Sequence, residues 1–217
     1  MNIIHFSVGR GLVKGQNELY SLGMNGTYIS PKQQQKSSAI IAAARTHFAT
    51  RGFESTKLSD VAKDAGVAVG TIYLRYKSKA ELLSGVLSEV ELAFCNAMDT
   101  DDIWASPFPN RFTLIAKAVL ETARSQSDLP ALMALSSFAE QTDPNNKRAM
   151  ISTIQRHVQN GIETGELRSN LDLPLVAYMA HGMVEGAMRE LMTNSGRLPE
   201  ETVESITDTF SSWLLKT

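Results

Sequence analysis

The chain has 217 residues, 43% of them apolar and 20% charged, with a formal net charge of −2 at pH 7. That length supports two small domains or one larger helical one, while a near-neutral total by itself decides nothing about nucleic acid. Cys95 is the single cysteine, which excludes an internal disulfide and fits a reducing cytoplasm, and no run approaches the roughly 18 apolar residues of a spanning helix.

Residues 1–31 carry five glycines and sustain neither a helical nor a strand period, so they are expected to form a flexible extension with no export signal. The rival reading, an arm reaching DNA, has only Arg10 and Lys14 behind it. A polar lead-in, Lys32 to Lys36, precedes a first helix that Ser37 or Ser38 can cap and that runs to Arg51. Ile40, Ile41, Ala44 and Phe48 mark its apolar face, and Gly52 stops it. His47 sits in that stripe and is expected as a satisfied core histidine rather than a ligand.

Residues 58–76 read LSDVAKDAGVAVGTIYLRY. Leu58, Val61, Ala62 and Ala65 keep the spacing of a short amphipathic helix, and Gly66 follows where the chain must turn. Val67 can plug the core from that turn, and a second helix begins about two residues on, with Ile72 and Tyr76 one turn apart. Ala62, Gly66 and Ile72 therefore hold the spacing of a helix-turn-helix, a unit that lays its second helix in the major groove of DNA. An alanine-rich helical hairpin is the bland alternative.

Ser78 and Glu81 form the pattern of a capping box that opens a further helix, whose stripe of Leu83, Val86, Leu87, Val90 and Phe94 runs to about Met98. It starts at the reader and ends in the next domain, which makes it the mechanical link. Beyond a loop, DTDDIWASPFP, five helices follow from caps and periods. They run from about Asn110 to Ser125, from Asp128 to Gln141, from Asp143-Pro144 to Gly165, from Asp172 to near Asn194, and from Pro199 onward. With no convincing strand, the expectation is an all-α chain of about nine helices. Its divisions are an extension (1–31), a helix-turn-helix domain (32–79) and a ligand-binding and dimerisation domain (80–217).

The stretch Ile40 to Leu83 closely resembles the DNA-binding domain of the TetR (tetracycline repressor) family. The matching features include Phe48, Arg51-Gly52-Phe53, Asp60-Val61-Ala62, Ala65-Gly66-Val67, Gly70-Thr71-Ile72-Tyr73 and Lys77-Ser78-Lys79. Beyond that stretch the likeness extends to helix count and order. The resemblance implies a homodimeric, ligand-responsive repressor in the cytoplasm, bound to a palindromic operator in double-stranded DNA and released by a small molecule of unknown identity. It implies no cofactor, no metal and no membrane partner. The charge distribution agrees: from Lys32 to Lys79 nine Lys/Arg stand against three Asp/Glu, whereas from Ala80 onward ten stand against nineteen. The bland alternative is that charge scatters unevenly between any two segments.

Thr71, Tyr73 and Lys79 match family positions that contact the DNA backbone, and their hydroxyls and ammonium suit phosphate oxygens. Gly70 allows close approach, Lys57 stands where the family has a capping hydroxyl, so that Thr56 is the candidate cap, and Ser59 stands where an arginine is common. Val69 and Leu74 face away from Ile72, and Arg75 is the one long base-reading donor on that helix. In the last two helices, small residues such as Gly186 together with Met179, Met183, Ile206, Phe210 and Trp213 are candidates for the dimer interface that the resemblance implies. An intrachain core would bury the same residues. A pocket between the middle helices has Phe94, Met98, Phe112, Met133, Phe138, Ile154 and Met179 as candidate lining, with His157 as a polar handle. Each of these residues taken singly also fits plain core.

Enzyme readings find no footing, since the chain has no phosphate-cradling loop, no metal cluster and no nucleophile in a recognisable setting. The competing binding function is a DNA-binding architectural protein controlled by a protein partner. An interior cavity above about 300 Å³ favours the small-molecule reading, and a filled core with an exposed apolar patch favours the other.

Overall fold

Ten helices and one short sheet account for the residues described in this computed structural model, 12–15, 18–22, 28–135, 148–193 and 200–215. The helices bear out the expected all-α fold, to which one short sheet not expected from the sequence is added. β1 (Leu12–Gly15), β2 (Glu18–Leu22) and β3 (Tyr28–Ile29) form an antiparallel meander in that order, with Gly15 opposite Glu18 and Leu22 opposite Tyr28. Strands of two to five residues are too short to register as a period.

α1 (Pro31–Ser55) begins earlier than expected, because Ser30 rather than Ser37 or Ser38 caps it. Gln33 N–H donates to Ser30 Oγ and Ser30 N–H donates to Gln33 Oε1, a reciprocal box, with Pro31 already holding helical φ. The helix is broken at Gly52, whose φ of 76° is closed to other residues, and a last turn reaches Ser55. α2 (Leu58–Asp64) and α3 (Val69–Tyr73) follow, separated by Gly66 at φ 65° and by a bond from Val67 N–H to Ala62 O. α2 has no side-chain cap: Thr56, the candidate, donates its hydroxyl backward to Gly52 O instead.

α4 (Lys79–Met98) opens with Glu81 N–H on Ser78 Oγ and with Lys77 N–H donating to the Glu81 carboxylate, a capping box displaced by one residue. The segment expected as a loop contains α5 (Asp101–Ala105), whose paired aspartates suit a helix N-terminus. α6 (Asn110–Ser125), α7 (Leu129–Met133), α8 (Arg148–Glu163), α9 (Leu173–Thr193) and α10 (Glu200–Leu214) complete the chain. Gly165 ends α8 at φ 79°, and Asp172 starts α9 by accepting Leu175 N–H. The expected stop at Gln141, the start at Asp143-Pro144, the stop near Asn194 and Pro199 lie outside the described residues.

The chain divides into two compact units inside α4, between Leu87 and Ser88. The core of the first comprises Ile40, Ala44, Phe48, Val61, Ile72 and Leu82, all fully buried. That of the second is built on Met98, Val119, Leu129, Leu132, Val158 and Leu167. Gly161 is obligatory there, because a Cβ would come within 2.5 Å of the Phe108 ring. Among the described residues no helix is long and apolar enough to cross a membrane.

Candidate nucleic-acid interface and interior cavity

α2 and α3 are too short to hold themselves in place by burial. Between them they bury Val61, Ala62 and Ile72. Polar ties from α1 complete the fixation. His47 Nε2 meets Asp64 Oδ2 at 2.7 Å, and Arg51 Nη1 meets Asp60 Oδ2 at 2.9 Å, so α1 grips both ends of α2. His47 is buried in the apolar face, as expected of a core histidine, with Nε2 held by the Asp64 carboxylate and Nδ1 left without a partner among the described residues.

Two predicted DNA contacts are tied inward in the same way. Arg75 donates from Nη2 to Gln33 O at 2.8 Å and from Nη1 to Ser37 Oγ at 3.1 Å, so the guanidinium ties the end of α3 to the start of α1. The expected base reader is therefore engaged inside the unit. Lys79 Nζ donates to Glu54 O and Thr56 O and lies 4.6 Å from the centre of the Phe53 ring. It closes the open carbonyls after the Gly52 break, leaving one of its three N–H donors for a phosphate.

What remains outward on α3 is mostly apolar. Leu74 is 87% exposed, and Val69 and Tyr73 are also exposed, while Thr71 is half-buried. Gly70 is exposed and a Cβ there would meet nothing within 4 Å, so no contact inside the chain requires glycine. Lys57 and Ser59, at the start of α2, are exposed. Val67 is only half-buried, so it plugs the core less completely than expected.

The second unit holds a cavity of about 60 Å³. Its wall is apolar, with Met98, Phe112, Ile115, Ile154, Met183 and Phe210 prominent, and His157 and Thr207 as polar members. Of the predicted lining, Met98, Phe112, Ile154 and His157 are brought together here. Phe94 is buried elsewhere and Met133 is half-buried, and neither lines the cavity. Met179 is exposed, and Phe138 lies outside the described residues. The volume falls short of the roughly 300 Å³ that would by itself favour a small-molecule effector over control by a protein partner.

His157 is fully buried and its imidazole stacks on the Trp104 indole, with centroids 4.0 Å apart. Nε2 lies 3.0 Å from Met98 O, and because a carbonyl only accepts, Nε2 carries the proton. Nδ1 is then a lone pair, and it has no partner. Burial pushes this histidine down to about 4, with Arg111 and Arg156 acting the same way and the Met98 bond and Asp99 opposing. Trp104 in turn donates to Asp99 Oδ1 at 2.6 Å, and Arg156 donates to Asp99 Oδ2. Burial works to raise the Asp99 carboxyl, but these bonds outweigh it and hold it below its ordinary value.

Arg111 is the feature that sequence reading missed. It is buried with no carboxylate in contact among the described residues, and its guanidinium donates to Ser106 O, Trp104 O and Asn160 Oδ1 while lying over the Phe108 ring. Burial lowers its pKa from the ordinary arginine value, against the pull of Glu166. The available signal was position: Arg111 precedes Ile115 by one turn on the apolar stripe of α6.

Some predicted interface residues also turn inward. Phe210 is buried edge-on against Phe112, 5.4 Å between centroids, and Met183 lines the cavity. The side chain of Ile206 lies outside the described residues. Trp213 is 57% exposed, and α9 presents Leu175, Tyr178 and Met179 with Gly182 and Gly186, about which a Cβ would find open space. Among the described residues no group of three or more His, Cys, Asp or Glu side chains is placed to hold a metal ion.

Comparison with known proteins gives this geometry a context. The model of the family described as bacterial regulatory proteins, tetR family, matches residues 40–86, which contain α2, α3 and the α1 face against which they pack. The fatty acid metabolism regulator protein of Bacillus subtilis is 24% identical over 168 residues, covering 75% of this chain and 87% of the relative. The transcriptional repressor KstR2 of Mycolicibacterium smegmatis is 28% identical over 151 residues, covering 63% and 70%. The fold is similar to that of the transcriptional regulator FadR from Bacillus subtilis in complex with stearoyl-CoA. The TM-score is 0.65 at 22% identity, with 81% of this chain and 97% of that one covered. Residues 40–86, with the helix-turn-helix, thus match the tetR family of bacterial regulatory proteins, and the fold around them is similar to that of a transcriptional regulator of known structure.

Proposed function

We infer that this protein is a homodimeric transcriptional repressor of the cytoplasm that binds a palindromic operator and is released by a small apolar effector. The observation that carries the reading is the placement of two features on one continuous helix. At its first residue, α4 sends Lys79 to the carbonyls of Glu54 and Thr56 in the reader, and at its last residue, Met98, it contributes to the wall of the cavity. An effector that moves Met98 therefore loads the same helix that holds the reader.

The cavity is narrow, so the effector has to widen it. Met98, Met150 and Met183 in the wall are unbranched and adapt readily. Relatives named for fatty acid metabolism, and a fold neighbour holding stearoyl-CoA, support an apolar ligand class. For the dimer, the outward stripe of Leu175, Tyr178, Met179, Gly182 and Gly186 on α9 supplies apolar area with glycines that allow close helix approach. Two readers are needed because successive major grooves on one face lie roughly 34–36 Å apart and one short helix reads too few bases.

The test is selection of bound duplexes from a random pool, followed by titration of an apolar compound library against the selected site. A palindromic consensus and release by one compound are expected. By reciprocity, saturating operator must weaken that compound by the factor with which the compound weakens DNA. A compound that binds equally with and without operator rejects the mechanism. Light scattering on Tyr178→Asp is expected to give monomers, and a dimer that survives rejects the α9 face.

A further inference from the structure

The cavity wall is apolar but not featureless. Thr207 uses its hydroxyl proton within its own helix, on Val203 O or Glu204 O, and its oxygen lies 3.2 Å from Thr113 Oγ1. His157 differs. Its Nε2–H is committed to Met98 O, its ring is clamped face-to-face by Trp104, and its Nδ1 lone pair is buried without a donor. A buried acceptor left unpaired costs free energy, and a ligand that supplies a donor recovers it.

We propose that the cavity takes a neutral, slender apolar molecule bearing one hydroxyl or N–H group, which donates a hydrogen bond to Nδ1 of His157. The proposal rests on the effector reading above and narrows its ligand class. A carboxylate is disfavoured on two counts. It brings negative charge to a lone pair in an apolar wall, and the nearby cations are engaged: Arg111 with Ser106 O, Trp104 O and Asn160, and Arg156 with Asp99. The imidazole itself stays neutral at physiological pH, since burial holds it near 4. A ligand with only acceptors, such as an ether or ester, leaves Nδ1 as unpaired as before.

The experiment is calorimetric titration of the intact protein with hexanol, with its isomer methyl pentyl ether, and with hexanoate. Hexanol is expected to bind about five- to tenfold more tightly than the ether, the worth of one net hydrogen bond, with hexanoate weakest. In His157→Phe, which keeps an aromatic ring for Trp104, hexanol and the ether are expected within about twofold. Persistence of the preference in that variant overturns the assignment to His157. If the variant fails to fold, the wild-type ranking decides alone: the ether equal to hexanol, or hexanoate tightest, overturns the proposal. Binding of all three without preference overturns this inference and leaves the effector reading standing, whereas binding of none rejects both.

Discussion

α2 and α3, in the reader, run seven and five residues, while α6, α8, α9 and α10 run fifteen to twenty-one. Short helices bury too little to fix themselves, so in the first unit the polar side chains act as ties between elements: His47 to Asp64, Arg51 to Asp60, Arg75 to α1 and Lys79 to the carbonyls after Gly52. In the second unit long apolar faces supply the cohesion, and polar groups caught among them serve differently. Arg111 and His157 are buried, so their desolvation has to be offset by neutral partners. The contrast teaches that ties such as Arg51 to Asp60 in the reader work in the presence of water, whereas Arg111 and His157 in the larger unit depend on their buried partners.

The sharpest way to break that comparison is Arg111→Ala. Its removal leaves the acceptors of Ser106, Trp104 and Asn160 without a donor, and a loss of about 3 kcal/mol is expected in urea unfolding. A loss below about 1 kcal/mol means the site is wetter than its burial implies.

Acid comes next. The folded pKa of His157, about 4, lies below the 6.5 of an unburied histidine, so the unfolded chain binds the extra proton in between. Its contribution to stability is complete above about pH 6.5 and is lost as pH falls toward 4, with a limiting slope of about 1.4 kcal/mol per pH unit. Urea midpoints across that window, wild type against His157→Phe, measure it, and parallel curves for the two proteins contradict the buried neutral ring.

A smaller effect is expected at Arg75. Because the guanidinium ties α3 to α1, Arg75→Ala is expected to lower stability by about 1 kcal/mol and to weaken all operator variants alike. Binding isotherms over single-base variants check this, and relaxed preference at one base pair would return Arg75 to base reading. The smallest is Gly70→Ala. With open space at the Cβ, helix propensity is expected to raise stability by about 0.5 kcal/mol while operator affinity falls, because the methyl group projects from the face offered to DNA. Unchanged affinity means that the backbone does not approach DNA closely there.

The fold was legible where local chemistry repeats. Gly66, Ala62 and Ile72 announced the helix-turn-helix, and the capping pattern of Ser78 and Glu81 announced α4. The start of α1 differs from the expectation because serines seven and eight residues downstream satisfy the same rule as Ser30, and only the reciprocal bonds with Gln33 distinguish them. Of the cavity residues, Met98, Phe112, Ile154 and His157 were legible as apolar-face positions, whereas Phe94 and Met133 follow the same spacing and do not line this cavity.

The sequence by itself determined most of the helices and the reader, because periodicity, caps and turn glycines act over a few residues and leave their marks in order along the chain. Only the tertiary structure decided what each side chain is used for. Whether Arg75 faces DNA or Gln33, whether Phe210 meets a partner or Phe112, and which nitrogen of His157 keeps a free lone pair depend on residues 42, 98 and 59 positions away. Contacts over such separations are set by how helices pack, and helix packing leaves no local period for a sequence to display.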